Sequence, residues 1–560
     1  MSAMPRLIDR IMARLAYWHA RRVYHRFCDA LHDVQVVQQR TLRRVLVNVA
    51  RSDYGRAHRL ERVRTPDDLR RAAPLVTYDD LAGHIEQMCR GHSAALLSPG
   101  QQVHMFATSS GTTARRKLIP VTSEFIRQYR RGWNTFGLKM LSDHPEAILR
   151  PILQGSGRYD EYRTSAGIPC GAITGLLARS QKRIVRRYYV GPPALAEIPD
   201  PTAKYYVLMR LGVVADVAFA ITANPATLIR MAQTADQHAE TLIRDVHDGT
   251  IDPAILPDTA LRAALGSHLR ADPARAGELA ELRRRSGHLR PADYWRLSFV
   301  ACWTGGSLGH YLDRLRDWWG RLPVRDIGLL ASEGRVTIPL EDDTPAGALD
   351  VQAALFEFIP LEHWHTPQPE TLLAHELDVG GKYVVVLSND AGLVRYRLDD
   401  VVRCVGHVGR APLLEFLHRA GRVSSQAGEK LTENQLVGAV KEVQRELNLP
   451  EFDFLAVPRW ADPPFYQVYH TAAEPADFAR RLDAALRRQN EEYDSRRKSL
   501  RLDMLRTSAV DGELFARLDQ LLIARRGSTA EQYKRPCLLT EHDESAALLE
   551  PLLATADRAD

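Results

Sequence analysis

The turn Ser109-Ser110-Gly111-Thr112-Thr113, with Lys117 shortly after it, is the first place where residue types and spacing suggest chemistry. Backbone N–H groups of a glycine-containing turn can wrap phosphate oxygens without steric bulk, and hydroxyls and a lysine add donors and charge. The spacing is not that of a Walker loop. Three further segments would complete a site for anions. Ser332 and Glu333, in Ala331-Ser332-Glu333-Gly334, follow an apolar run, and a carboxylate at a strand end can hold Mg2+. Asp400, in Arg395-Tyr396-Arg397-Leu398-Asp399-Asp400-Val401, could accept hydrogen bonds from both hydroxyls of a ribose. Lys534, in Gln532-Tyr533-Lys534-Arg535-Pro536, is a cation that a mobile domain could bring to the place where charge gathers in a transition state. Each has an ordinary reading beside it: most Ser/Thr-Gly turns are only turns, and a lone glutamate is usually a surface residue.

These segments need a frame. Val103 to Ala107 reads as a strand leading into the polar turn, and Phe125, Tyr129, Trp133, Phe136 and Met140 then recur at helical spacing. Most of that stripe reads as core, with one or two residues left to line a pocket. The first hundred residues read as helices, with Thr65-Pro66-Asp67-Asp68 as a helix start. Asn224-Pro225 opens a long helix through about Val246, and Leu297 to Trp303 is an apolar strand closed by Thr304-Gly305-Gly306. Tyr383 to Leu387 and Arg395 to Val405 read as strands. Alternating strands and helices predict a large α/β region. At 422–428 the chain becomes small and polar. Beyond it lie a helix from Glu433, strands near Phe452–Val457 and Tyr466–His470, and helices over about 475–493 and 511–525. The expectation is a large N-terminal α/β unit over 1–421, a hinge at 422–428 and a smaller mobile α+β unit over 429–560.

Composition narrows the classes. The chain has 560 residues, 45% hydrophobic and 26% charged, with a formal charge of +6. That is enough chain for more than one core and too little charge for its length to mark a nucleic-acid binder. Basic clusters such as Arg283-Arg284-Arg285 read as solvated helix faces. The six cysteines are scattered, with no CxxC pair, which excludes a zinc knuckle or a disulfide scaffold and points to the cytoplasm. No apolar run predicts a signal peptide or membrane span, and residues 5–26 read as a basic amphipathic helix docked on the core.

In order along the chain, the motifs resemble the Gretchen Hagen (auxin-responsive) family of acyl acid amido synthetases, as a bacterial-type member. That family is a branch of the adenylate-forming superfamily, which also holds the acyl-CoA synthetases and luciferases. Thr108-Ser109-Ser110-Gly111-Thr112-Thr113 is similar to its phosphate loop, and Cys302-Trp303-Thr304-Gly305-Gly306 to its glycine-ended strand beside the nucleotide. Ala331-Ser332-Glu333 resembles its nucleotide and metal motif, and Phe356-Glu357-Phe358-Ile359-Pro360 a further family segment. Gly392 to Asp400 resembles the ribose segment, Gly428 to Glu433 the segment after the hinge, and Gln532-Tyr533-Lys534 the catalytic lysine segment. Ala114, Leu329, Leu355, Asp399 and Cys537 depart from the family's usual residues and leave adenine packing and the acid unassigned.

The resemblance implies an ATP-dependent ligase with Mg2+ that makes an acyl adenylate and passes the acyl group to an amine, by family an amino acid. Ser109, Ser110, Gly111, Thr112, Thr113 and Lys117 would hold phosphates, Ser332 and Glu333 nucleotide and metal, Asp400 ribose, and Lys534 the developing charge. Trp133, Gly167, Ile168 and Phe356 are expected at the acyl pocket. Two alternatives stay open: an acyl-CoA or acyl-carrier ligase using the same adenylate, and a serine hydrolase. The second rests on Gly305-Gly306-Ser307-Leu308-Gly309, which satisfies GxSxG, with His363, His375 or His407 as partner. His363 and His365 alternate as metal ligands do, although surface histidines before Pro367 explain them as well.

Overall fold

The computed structural model describes residues 7–109, 117–155, 157–179, 181, 183–364, 366–420, 423–427, 429–473, 477–498, 500–526, 535–540, 543 and 545–556. Side-chain caps begin several of its helices. Thr65 caps Pro66–Ala72 in a capping box with Asp68, and Thr122 caps Ser123–Asp143 by accepting from the Phe125 N–H. Asn224 and Thr432 cap Pro225–Gln237 and Glu433–Leu447 in the same way. The helix expected to run from Pro225 to Val246 breaks at His238 and resumes as Ala239–Asp248.

Three larger sheets and a two-stranded ribbon, Leu330–Ala331 with Gly334–Arg335, build the large unit among the described residues. Strands Ile152–Gln154, Phe219–Ile221, Phe299–Ala301 and Val324–Arg325 pair in parallel, in that order. Helices Pro201–Gly212 and Pro225–Gln237 contribute to the same hydrophobic core as Leu153, Ala220 and Val300 of that sheet. Val103–Ser109 sits between Lys117–Thr122 and Pro169–Gly171 in a second sheet. The third has seven antiparallel strands, among them Leu355–Pro360, Lys382–Ser388, Tyr396–Val408 and Ala411–Arg419. Helix Val34–Val49 packs on this sheet: Gln38 donates to Val351 O and Ala354 O and accepts from the Phe356 N–H. Among the described side chains of helix Leu7–His32, Phe27, Ala30 and Leu31 in its last turns are buried, while Ile11, Leu15 and Trp18 are exposed.

The C-terminal unit is a three-stranded sheet, Phe454–Arg459, Phe465–His470 and Arg506–Ala509, between two helical layers. Alternation along the strands places Phe454, Ala456, Tyr466 and Val468 against Glu433–Leu447 and Phe478–Gln489, and Leu455, Val457 and Tyr469 against Gly512–Arg526 and Ser545–Ala556. The whole is an α/β protein with a large N-terminal unit and a smaller C-terminal one. The six cysteines are free, and among the described residues no helix is long and apolar enough to cross a membrane.

The segment between the units is bonded mostly to one side. Val423–Ser424 pairs with Leu431–Thr432, and Glu429 accepts from the N–H groups of Gln426 (2.8 Å) and Ala427 (2.7 Å). Tyr466 donates to Glu429 and hydrogen-bonds Ser424 at 2.9 Å, which ties residues 423–427 to the C-terminal sheet.

Candidate active site

A cavity of about 350 Å³ opens at the carboxyl ends of the parallel strands, where open α/β sheets commonly bind ligands. Gln154, Thr222, Gly305 and Asp326, each at or just past a strand end, line it. The turn at 304–306 is held by the buried Asp326 carboxylate, which accepts from Thr304 N and Thr304 Oγ1, both at 2.7 Å, and from Gly328 N at 2.6 Å. Gly306 has φ +60°, and a Cβ there would stand 2.7 Å from Leu417 O. Only glycine lets this turn lie on the strand Ala411–Arg419.

Ser332, Glu333 and Asp400 line the same cavity. Glu333 is buried, its carboxylate accepting from Tyr396 OH at 3.3 Å and its backbone carbonyl from Asn389 Nδ2 at 2.8 Å. Ser332 Oγ lies 3.4 Å from Thr108 O, so the strand leading into the polar turn reaches the wall. Asp400 faces Arg419, Nε to Oδ1 3.3 Å, and Arg419 also donates to Leu398 O at 2.8 Å. Asp399 adopts φ +59°, which explains the glycine usual there. Arg397 pairs with its carboxylate at 3.1 Å, and its carbonyl accepts from Ala420 N at 2.6 Å.

Lys117 begins its strand with Nζ 5.5 Å from the Tyr78 ring centroid. Ser109 ends its strand. Ser110, Gly111, Thr112, Thr113 and Lys534 lie outside the described residues. Arg535, next to Lys534, lines the cavity from the C-terminal unit, as does Glu433. Arg535 is anchored by Asp519, at 2.7 and 2.9 Å, and by the Phe515 ring, 4.7 Å from its guanidinium.

Of the four residues expected at the acyl pocket, Trp133 lines the cavity, beside Tyr129. Behind it the buried Arg335 guanidinium lies 4.6 Å from the Trp133 ring centroid. Burial pulls the Arg335 pKa down to about 10, against the opposing pull of Tyr129 and Asp350. The other three are placed elsewhere. Phe356 is fully buried in the core beneath Gln38, because its strand is covered on that face by a helix. Gly167, exposed at φ +77°, and Ile168, half-buried against the core, form a turn off the cavity wall. Sequence reasoning missed Asp326, Tyr396, Arg419 and Glu433. Tyr396 and Glu433 stood inside motifs already singled out, whereas Asp326 and Arg419 carried no local signal.

His363, His375 and His407 do not line the cavity that Gly305 lines, and the Ser307 side chain and His365 lie outside what is described. Among the described residues no group of three or more His, Cys, Asp or Glu is placed to hold a metal. The site thus offers hard oxygen donors, Glu333 and Ser332, a set that suits Mg2+ shared with phosphates.

Known proteins agree along most of the chain. The GH3 family N-terminal domain matches residues 23–324, its central domain 347–419 and its C-terminal domain 434–543. The probable indole-3-acetic acid-amido synthetase GH3.4 of Oryza sativa subsp. japonica is 28% identical over 478 residues, covering 78% of this chain and 74% of the relative. The jasmonoyl-L-amino acid synthetase JAR6 of Nicotiana attenuata is 25% identical over 474 residues, covering 80% of each. The AtGH3.15 acyl acid amido synthetase in complex with 2,4-DB shares the fold at a TM-score of 0.84 and 20% identity, over 95% of this chain and 96% of that one. Fold and sequence define an ATP-dependent ligase that forms an amide through an acyl adenylate. The chain belongs to the GH3 family.

Proposed function

We propose that the chain activates a carboxylic acid as its acyl-AMP in this cavity and transfers the acyl group to an amino acid. The observation that carries the reading is the meeting of Ser332, Glu333 and Asp400 in one cavity that Arg535 of the lysine segment also lines. Asp400, steadied by Arg419, accepts the ribose hydroxyls. The loop 109–113 and Lys117 hold phosphates, and Lys534 carries the charge that develops as the acid attacks the α-phosphate. Mg2+ would rest on Glu333 and supply charge neutralisation at the phosphates. Tyr396 orients the Glu333 carboxylate by its hydrogen bond. The acid lies toward Tyr129 and Trp133. Its carbonyl carbon then takes the amine nitrogen, the bond to AMP breaks, and the amine's proton leaves to solvent or a base.

The relatives' names favour an amino acid over coenzyme A or a carrier protein as acceptor. Leu329 and Leu355 stand where the family resemblance leads one to expect other residues, which fits a bacterial-type branch of the adenylate-forming superfamily. Free cysteines fit a cytoplasmic enzyme. The division into 1–421, 422–428 and 429–560 stands as part of this reading. Glu429 and Tyr466 hold 423–427 to the C-terminal unit. The test is a pyrophosphate-exchange screen over carboxylic acids, followed by mass analysis of products with amino acids, coenzyme A and simple amines. Exchange with no amide from any amine contradicts the transfer half of the reading.

A further inference from the structure

The two units meet through charge. Helix Leu312–Trp319 follows directly on the turn at 304–311, and its first amides are donors without helical partners. The acceptor comes from the other unit: Glu451 Oε2 takes the Arg314 N–H at 3.1 Å, and the Asp313 N–H also faces that carboxyl. Arg314 Nη1 reaches Asp453 Oδ2 at 3.5 Å, and Asp453 Oδ1 lies 3.4 Å from Arg535 Nη1. A line of contacts therefore runs from the helix behind the cavity turn to the segment beside Lys534. On the other side, Lys441 Nζ would stand 3.4 Å from a Cβ on Gly309, so helix Glu433–Leu447 lies directly on the turn.

We propose that Glu451 is a positioning residue for adenylation: by capping helix Leu312–Trp319 from the C-terminal unit, it docks that unit with its lysine segment at the cavity. This rests on the reading given above of a mobile C-terminal unit that serves the first half-reaction. The charges around Glu451 come from each element packed on it: Asp313 and Arg314 on the capped helix and Lys441 on helix Glu433–Leu447, with Arg445 beside Lys441 and Asp453, in the same loop as Glu451, paired to Arg314.

The docked carboxyl is pushed up to about 7, chiefly by burial and further by Asp313, while the Arg314 and Asp313 amides and the Arg314 charge oppose the rise. A carboxyl freed by undocking returns to the ordinary range, near 4.3. The docked state therefore binds the proton more tightly. Docking is fully present below the undocked value, weakens as pH rises toward about 7, and is flat above it. The neutral carboxyl still offers its carbonyl oxygen to Arg314 N, so capping survives protonation.

Glu451→Gln keeps a neutral acceptor at all pH, and Glu451→Ala removes it. The first readout is pyrophosphate exchange with the acid that the wild type takes. The ratio of Glu451→Gln to wild type should rise by roughly tenfold or more between about pH 5.5 and 7.5, following one linked proton, and level off above that range. Glu451→Ala should be slow throughout while folding normally by thermal unfolding. The second readout needs no substrate: proteolysis within 419–430, normalised to Glu451→Gln at each pH, should rise with pH in the wild type. Parallel pH profiles for wild type and Glu451→Gln in both assays, or wild-type exchange in Glu451→Ala, would overturn the role. Absence of exchange with every acid strikes the proposed function instead, and the proteolysis then still decides the docking role.

Discussion

The Tyr396 hydroxyl donates to Glu333 Oε1 at 3.3 Å; both residues are buried, and Glu333 lines the cavity. Burial, and next to it the charge of Glu333, keeps the phenol protonated well above its ordinary range, so it remains a donor at any working pH. The bond joins the carboxylate assigned to the metal with the strand that carries Asp400. Tyr396→Phe should leave the fold intact and slow adenylation by roughly tenfold, the scale of one lost hydrogen bond to a charged group. Titrating Mg2+ in the exchange assay checks it: the variant should need more metal, and an unchanged titration removes the orienting role.

Lys534→Ala should cost a hundredfold or more in adenylation, roughly the value of a charge-stabilising donor at the reacting centre. Arg535 remains paired to Asp519 in this variant, so the melting temperature should hold. Single-turnover adenylate formation measures the loss, and near-wild-type rates would remove Lys534 from the mechanism.

Arg395 and Glu357 form a buried ion pair, with guanidinium contacts of 3.1 to 3.2 Å, and Arg395 also donates to Ala73 O at 2.8 Å. Glu357→Ala leaves that charge buried and unpaired, and should destabilise the large unit by about 3–5 kcal/mol. Chemical unfolding checks this. A loss of activity without a loss of stability would instead put Glu357 in the chemistry.

Asp399→Gly should be neutral or stabilising by up to about 1 kcal/mol, because glycine takes a left-handed backbone without steric cost. The exposed part of the Arg397 pair lost in exchange contributes little. Thermal unfolding reads the sign, and a clear drop in melting temperature would mean that the ion pair outweighs the backbone strain.

Trp133→Ala should raise the KM for the acid by roughly tenfold or more and leave the KM for ATP nearly unchanged, as expected when one pocket wall is lost. Equal changes in both constants would show that the acid lies elsewhere in the cavity.

What the sequence made legible was local. Caps at Thr65, Thr122, Asn224 and Thr432 are written in neighbouring residues, and so is the helical stripe that contains Trp133. Ser332, Glu333 and Asp400 stood in short motifs, and they line one cavity. Pairings between distant segments left no such trace. Nothing near Gly347–Leu349 announces its partner strand at Leu413 and Leu414, and nothing near Asp326 announces Thr304. Phe356 was misplaced for the same reason: an apolar strand residue can face a pocket or a covering helix, and only the position of Gln38 decides. The break at His238 was hidden because both halves continue the same apolar pattern.

The central claim is that an acyl adenylate forms in this cavity. The most direct test supplies the acid with its carboxylate oxygens heavy-labelled, together with ATP, Mg2+ and the accepting amine, and weighs the AMP produced. Attack of the carboxylate on the α-phosphate, followed by loss of AMP to the amine, leaves one heavy oxygen in AMP. AMP carrying one heavy oxygen, formed in step with the amide, is the predicted result. Unlabelled AMP, or ADP and phosphate as the nucleotide products, would contradict it.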